Sequence, residues 1–200
     1  MKFIDKYIEK QKKKTVWAWL GDIIFGLLII GLLIPATRTP IVVFVKKITN
    51  FSPSVSLDDH YGQLSERDYL WQLKDAEGRM IQLKNLSDKP LFINFWATWC
   101  PPCIAEMPTI IELEKEYGDR VHFVLVSQED HLVTKKFLEK NHWDILTYQP
   151  YSRIPEILSS SSIPLTLIVD NKGKVVVHKT GNHNWNGNSV RELLDALIAE

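Results

Sequence analysis

The sequence predicts an α/β layer fold with a central mixed sheet, and three observations carry that prediction. From Tyr69 onward, strand-like apolar runs alternate with helical stretches. Alternating apolar residues flank "DAEG", which marks a hairpin and therefore at least one antiparallel pair. Composition agrees: 45% hydrophobic and 24% charged over 200 residues suit one globular domain of ordinary size with some chain to spare.

Taken in order, "YLWQLKDAEGRMIQL" is the hairpin, with its turn over Asp75 to Gly78. "LFINFW" reads as a strand and is followed by a helix from about Pro102 to Tyr117, which Pro108 should kink or end in its first part. "VHFVLVS" is the next strand and "HLVTKKFLEKN" the next helix. After a looser segment come the strands "LTLIVD" and "KVVVHK", joined by "NKG", and a closing helix from about Ser189 to Ala199. Ser189 with Glu192 three residues on is a capping-box candidate for that helix. The folded domain is thus expected over residues 69–200.

The N-terminal part has a different character. Net charge is zero, but residues 1–50 hold nine Lys/Arg against three Asp/Glu, and residues 51–200 hold fifteen against twenty-one. A basic tail at 1–14 precedes "VWAWLGDIIFGLLIIGLLI", residues 16–34, whose nineteen positions reach roughly 28 Å as a helix, close to a bilayer's hydrocarbon thickness. We expect a transmembrane signal anchor at 15–35, with the lysines cytoplasmic, Trp17 and Trp19 near the inner interface and the rest of the chain on the far side. A cleaved signal peptide usually has a shorter apolar core and an A-x-A-like site, where this run ends in "IPATRTP". A buried amphipathic helix fits poorly, because only Asp22 interrupts the apolar surface. Residues 36–68 read as a membrane-proximal linker. No basic, aromatic-interleaved patch follows, so nucleic acid is not an expected partner.

The cysteines are two, Cys100 and Cys103, placed where "LFINFW" ends and a helix begins. In open α/β sheets that strand end is where sites are built. A lone C-x-x-C is a redox pair, half of a zinc site or an accident of composition. Zinc would need two further ligands, and His60, His122, His131, His142 and His178 read as surface or strand residues. For redox work the helix start favours a thiolate on Cys100, with Cys103 one turn on as the resolving thiol. Pro101 and Pro102 suit the first helical turn and leave fewer N–H donors for that thiolate. "FINFW", with Trp96, reads as core, and Trp99 as partly exposed. Glu106 lies three residues after Cys103, either as an ordinary helix acid or as a proton shuttle.

"FWATWCPPC", Pro108 and "SIPLTLIVDNKGKVVVHKTG" together resemble the thioredoxin-like superfamily, in particular its membrane-anchored TlpA- and ResA-like branch. The resemblance covers roughly Tyr69 to Ala199 and implies a thioredoxin-like fold, the hairpin being an N-terminal addition. It implies that Pro164, after Ile163, is cis and packs opposite the cysteines, where it helps bind a partner's backbone. Trp99, Pro101 and Pro102 would border that partner, and His183 and Trp185, in "TGNHNWNGN", would touch it. Asn94 stands where thioredoxins proper carry a buried aspartate, whereas Glu106 matches a glutamate of the TlpA-like branch, which favours the proton shuttle. The activity implied is thiol-disulfide exchange on exported proteins, including apocytochrome cysteines, outside a bacterial inner membrane. A membrane thiol carrier would supply electrons, with no cofactor beyond the Cys100–Cys103 disulfide and no metal. The rival is a Cu(I) chaperone using both cysteines and one histidine, such as His183. A thiol peroxidase lacks the expected arginine.

Overall fold

A computed structural model of the chain describes residues 16–33, 52–56 and 61–200. The chain divides into two units, 1–44 and 45–200. In the first, helix α1 spans Val16–Leu33 and leaves Trp19, Leu20, Ile23, Ile24, Phe25, Leu27 and Ile29 exposed. Among the described residues no helix is long and apolar enough to cross a membrane. The basic tail at 1–14, the end of the apolar run at Ile34, His60 and most of the expected linker lie outside the described residues.

In the second unit the described residues build a seven-stranded sheet of order β2-β1-β5-β4-β3-β6-β7. Its strands are β1 (Gln72–Lys74), β2 (Met80–Gln82), β3 (Leu91–Phe95), β4 (His122–Val126), β5 (Thr147–Pro150), β6 (Leu165–Val169) and β7 (Val175–Thr180). The helices are α2 (Pro101–Tyr117), α3 (His131–Lys140) and α4 (Asn188–Ala199). β3 pairs parallel with β4 and antiparallel with β6, so the sheet is mixed. Every residue of β3 and of β6 is buried, as expected for central strands covered on both faces.

Period-two alternation sorts the core into two clusters. Phe92, Leu125 and Ile168 meet Met107, Ile110 and Leu113 of α2, Leu138 of α3 and Leu194 of α4. Leu91, Ile93, Val124, Leu167 and Val169 form the other, which draws on no α-helix among the described residues and is closed by Trp71, Leu73 and two residues of short 3-10 turns, Leu83 and Leu158. The flanking helices therefore serve one cluster, and the N-terminal hairpin region covers the other.

Several boundaries differ from expectation. The fold takes in residues before Tyr69: Gln63 bridges Lys174, the Leu64 amide donates to Gly173 O at 2.9 Å, and Leu64 is buried. β5 emerges from the segment read as loose. Its four residues, "TYQP", are too short and polar to signal a strand, but pairing with β1 on one side and β4 on the other holds them. The hairpin turn is closed by Asp75, whose Oδ1 accepts from the amides of Glu77 and Arg79 while Gly78 takes φ +83°. Ser189 does not cap α4. Gly187 stands at the cap, and the Ser189 hydroxyl donates to Pro53 O at 2.9 Å. Nor does Pro108 end α2, which runs on to Tyr117. The lost hydrogen bond to the Ile104 carbonyl is offset by burial of Met107, Ile110, Ile111 and Leu113 on the core side.

Candidate active site

β3 delivers the chain to the site and α2 carries it away. The connecting loop is held at both ends: the Trp96 amide donates to Val126 O at 3.0 Å, and the Cys100 amide to Ala97 O at 3.2 Å. Between them, the Thr98 amide and hydroxyl both donate to the Glu129 carboxylate, at 2.6 and 2.7 Å. Nothing in the spacing pointed to Glu129. It sits thirty-one positions along the chain, and only the parallel β3–β4 pairing brings it near.

Cys100 occupies the N-cap of α2, with Pro101 and Pro102 filling the first two helical positions. Neither proline has an N–H, so the Cys103 amide is the donor left to face the Cys100 sulfur, at 3.3 Å. The two cysteines are joined, with Sγ–Sγ 2.15 Å and Cα–Cα 5.3 Å. In this oxidised form Cys100 is only 3% exposed and Cys103 is fully buried, whereas Trp99 stands 70% exposed. Pro101 and Pro102 are half-buried beside them.

The Ile163–Pro164 peptide is cis. The β3–β6 register ends at Phe95 against Leu165, so Pro164 lies at the same sheet end as the Trp96–Cys100 loop. Its carbonyl accepts from the Gly181 amide at 2.9 Å, which ties the 181–186 loop to that end. A cleft of about 290 Å³ opens here, lined by Trp96, Trp99, Glu129, Ser160 and Ile163.

Glu106, one turn after Cys103, is 1% exposed and faces the sheet. Its Oε1 accepts from Asn94 Nδ2 at 2.9 Å, and its Oε2 accepts from the His183 amide at 3.2 Å and from Trp185 Nε1 at 3.1 Å. Burial raises its pKa to about 8, even though all three hydrogen bonds favour the charged form. Alternation along β3 explains the partner: Asn94 shares the face of Phe92, which packs toward α2. Asn94 Nδ2 also donates to Thr166 Oγ1 at 2.9 Å, a second residue that sequence spacing did not reveal.

The expectation that Trp185 touches a partner is corrected. Its ring is fully buried, edge-on to Phe92 at 5.4 Å between centroids, and its N–H is turned inward to Glu106. His183 reaches the site through its backbone amide, and its half-buried ring lies edge-on to Trp185 at 5.5 Å. Cys100, Cys103, Glu106, Asn94, Trp185 and the His183 backbone thus converge. Pro108, on α2 two residues beyond Glu106, shapes the helix and makes none of these contacts.

Residues 46–197 match the Redoxin family. The chain belongs to that family. Among curated relatives of this Redoxin-family chain, the thiol-disulfide oxidoreductase ResA of Bacillus cereus is 35% identical over 107 residues, 51% of this chain and 61% of the relative. The ResA of Halalkalibacterium halodurans is 28% identical over 127 residues, 62% of this chain and 72% of the relative. The first of these matches spans about three fifths of the relative's length.

Solved structures agree on the fold. A thioredoxin-family thiol:disulfide interchange protein of Chlorobium tepidum superposes with TM-score 0.54 at 21% identity, covering 62% of this chain and 92% of that one. A secreted Mycobacterium tuberculosis disulfide oxidoreductase homologous to E. coli DsbE gives TM-score 0.54 at 19% identity, covering 68% and 100%. The Redoxin-family domain therefore has the thioredoxin-like fold.

Proposed function

We propose that this chain is a membrane-anchored, extracytoplasmic thiol-disulfide oxidoreductase that reduces disulfides of exported proteins through Cys100 and Cys103. The observation that carries the reading is the cysteine pair at the start of α2, next to the exposed Trp99 and with the buried Glu106 one turn behind. In the reduced enzyme the Cys100 thiolate attacks one sulfur of a partner disulfide. A mixed disulfide forms and the partner's other sulfur leaves as a thiolate. Glu106, as carboxylate, takes the proton of Cys103, whose thiolate then attacks Cys100 Sγ. That closes the Cys100–Cys103 bond and releases the partner's second thiolate. Two electrons have passed to the partner, and a second thiol protein, such as a membrane thiol carrier, must return two.

The partner chain lies across Trp99, Ile163 and Pro164, and the adjoining cleft receives one of its side chains. Curated relatives named ResA thiol-disulfide oxidoreductase support the reaction class. Apocytochrome haem-binding cysteines are one candidate substrate. The apolar run at 16–34, the lysines before it and the exposed apolar side chains of α1 support an anchor with a cytoplasmic N-terminus.

Cys103→Ser tests the reading in cells. The variant should accumulate mixed disulfides on Cys100 with exported proteins, identifiable by mass spectrometry, and Cys103→Ser combined with Cys100→Ser should accumulate none. Absence of adducts from the single variant, with tight Cu(I) uptake by the parent, would replace the proposal with a copper chaperone.

A further inference from the structure

The space between α2, β3, β6 and the 181–186 loop is filled by Asn94, Glu106, Thr166 and Trp185, each no more than 1% exposed. Their hydrogen bonds do not fit every charge state of Glu106. The two groups on its Oε2, the His183 amide and Trp185 Nε1, can only donate. A proton on Glu106 therefore has to sit on Oε1. That oxygen meets Asn94 Nδ2 at 2.9 Å, a third donor. As placed, the ring suits the carboxylate alone.

Asn94 also carries a defect. Its Oδ1 is buried without a hydrogen-bond partner. Turning the amide by 180° about its last side-chain bond puts Oδ1 where Nδ2 stands. It would then accept from the Oε1–H of a neutral Glu106 and from the Thr166 hydroxyl, which can donate as readily as accept. Either orientation leaves one end of the amide unpartnered, so those penalties largely cancel. The proton on Glu106 decides between them.

We propose that Asn94 is a positioning residue for proton transfer, its side-chain amide turning over as Glu106 gains or loses a proton. This rests on the proton-transfer role given to Glu106 above. When a Cys103 S–H bond breaks and a Glu106 O–H bond forms, the turned amide offers an acceptor, and when the proton leaves, the amide returns as a donor. The elements packed around Glu106 carry two other titratable sites: the cysteine pair at the start of α2, which does not titrate while joined, and the ring of His183, which packs edge-on to Trp185. β3 and β6 present the neutral Asn94 and Thr166. Burial keeps Glu106 near a pKa of about 8, so both charge states are within reach of ordinary conditions.

The test is nuclear magnetic resonance of the oxidised full chain in detergent micelles between pH 5 and 10. It follows the Glu106 Cδ shift, the His183 ring separately, and the through-space contact from the Asn94 Nδ2 protons to the Thr166 methyl. We expect that contact at high pH and its loss on acidification, with the same midpoint as Glu106. In Glu106→Gln, whose side-chain NH₂ is a permanent donor, the contact should be missing at every pH. A contact that persists unchanged while Glu106 titrates, or that appears in Glu106→Gln, overturns the proposal. Should Cys103 of the reduced protein titrate alike in parent and Glu106→Gln while the contact still switches, the proton-transfer reading falls and the amide's response stands.

Discussion

Replacing Glu106 with Gln should stabilise the oxidised protein, by an amount that grows with pH. Glu106 has a pKa near 4.5 in an unfolded chain and about 8 in the fold. A carboxyl whose pKa is raised on folding makes its full contribution below the unfolded value. That contribution is lost as pH climbs through the window from about 4.5 to 8, because the unfolded chain releases its proton and the native chain holds it. Each pH unit in the window costs about 1.4 kcal/mol. At pH 7 the parent has therefore lost on the order of 3 kcal/mol, and by pH 8 roughly 5 kcal/mol.

Gln carries no such penalty. Its oxygen can accept from the His183 amide and Trp185 Nε1, and its NH₂ can face Asn94. Urea unfolding of the oxidised full chain in detergent, at pH 5, 6, 7 and 8, gives the comparison. The two proteins should be close at pH 5 and separate by about 3 kcal/mol at pH 7. Parallel pH curves, or a variant weaker than the parent at pH 8, would refute the reasoning.

Trp99 is 70% exposed and belongs to neither core cluster among the described residues, so Trp99→Ala should slow mixed-disulfide formation with a protein substrate in stopped-flow traces while shifting stability by no more than about 0.5 kcal/mol. Glu129→Ala removes both acceptors of Thr98 and should cost about 1–3 kcal/mol in urea unfolding, with faster amide exchange at Thr98. Gly173 has φ +84°, and a Cβ there would stand 2.7 Å from Tyr69 Oη, so Gly173→Ala should lower the thermal midpoint by an amount matching about 1–2 kcal/mol. Asp75 is buried, which alone would raise its pKa, but hydrogen bonds from Arg79 and Glu77 outweigh burial and hold it below the ordinary value. Its contribution is present above the unfolded value and lost on further acidification, so the protection of the Glu77 and Arg79 amides, relative to free-peptide exchange at the same pH, should fall there.

Much of the fold was legible because its signals are local. Apolar runs such as "LFINFW" and "LTLIV" are long enough to declare central strands, and the C-P-P-C step marks a helix start by the missing N–H groups of its prolines. β5 was not legible, since its stability comes from two neighbours and hardly from its own residues. Within the site, Cys100, Cys103 and Glu106 share one helix and could be related by turn geometry. Thr98 with Glu129 and Asn94 with Thr166 are separated by 31 and 72 positions, and only sheet register joins them. Trp185 was misplaced for a related reason. A polar loop sequence gives no sign that one of its residues turns inward to a buried carboxyl.

The most direct test of the account is a redox titration of the full chain in graded mixtures of reduced and oxidised glutathione, quenched with acid and read by intact mass. The account predicts one reversible two-electron transition, a gain of two hydrogens per chain, that vanishes in Cys100→Ser and in Cys103→Ser. A pair that will not reopen under reducing mixtures, or that reopens and fails to close again, would contradict it.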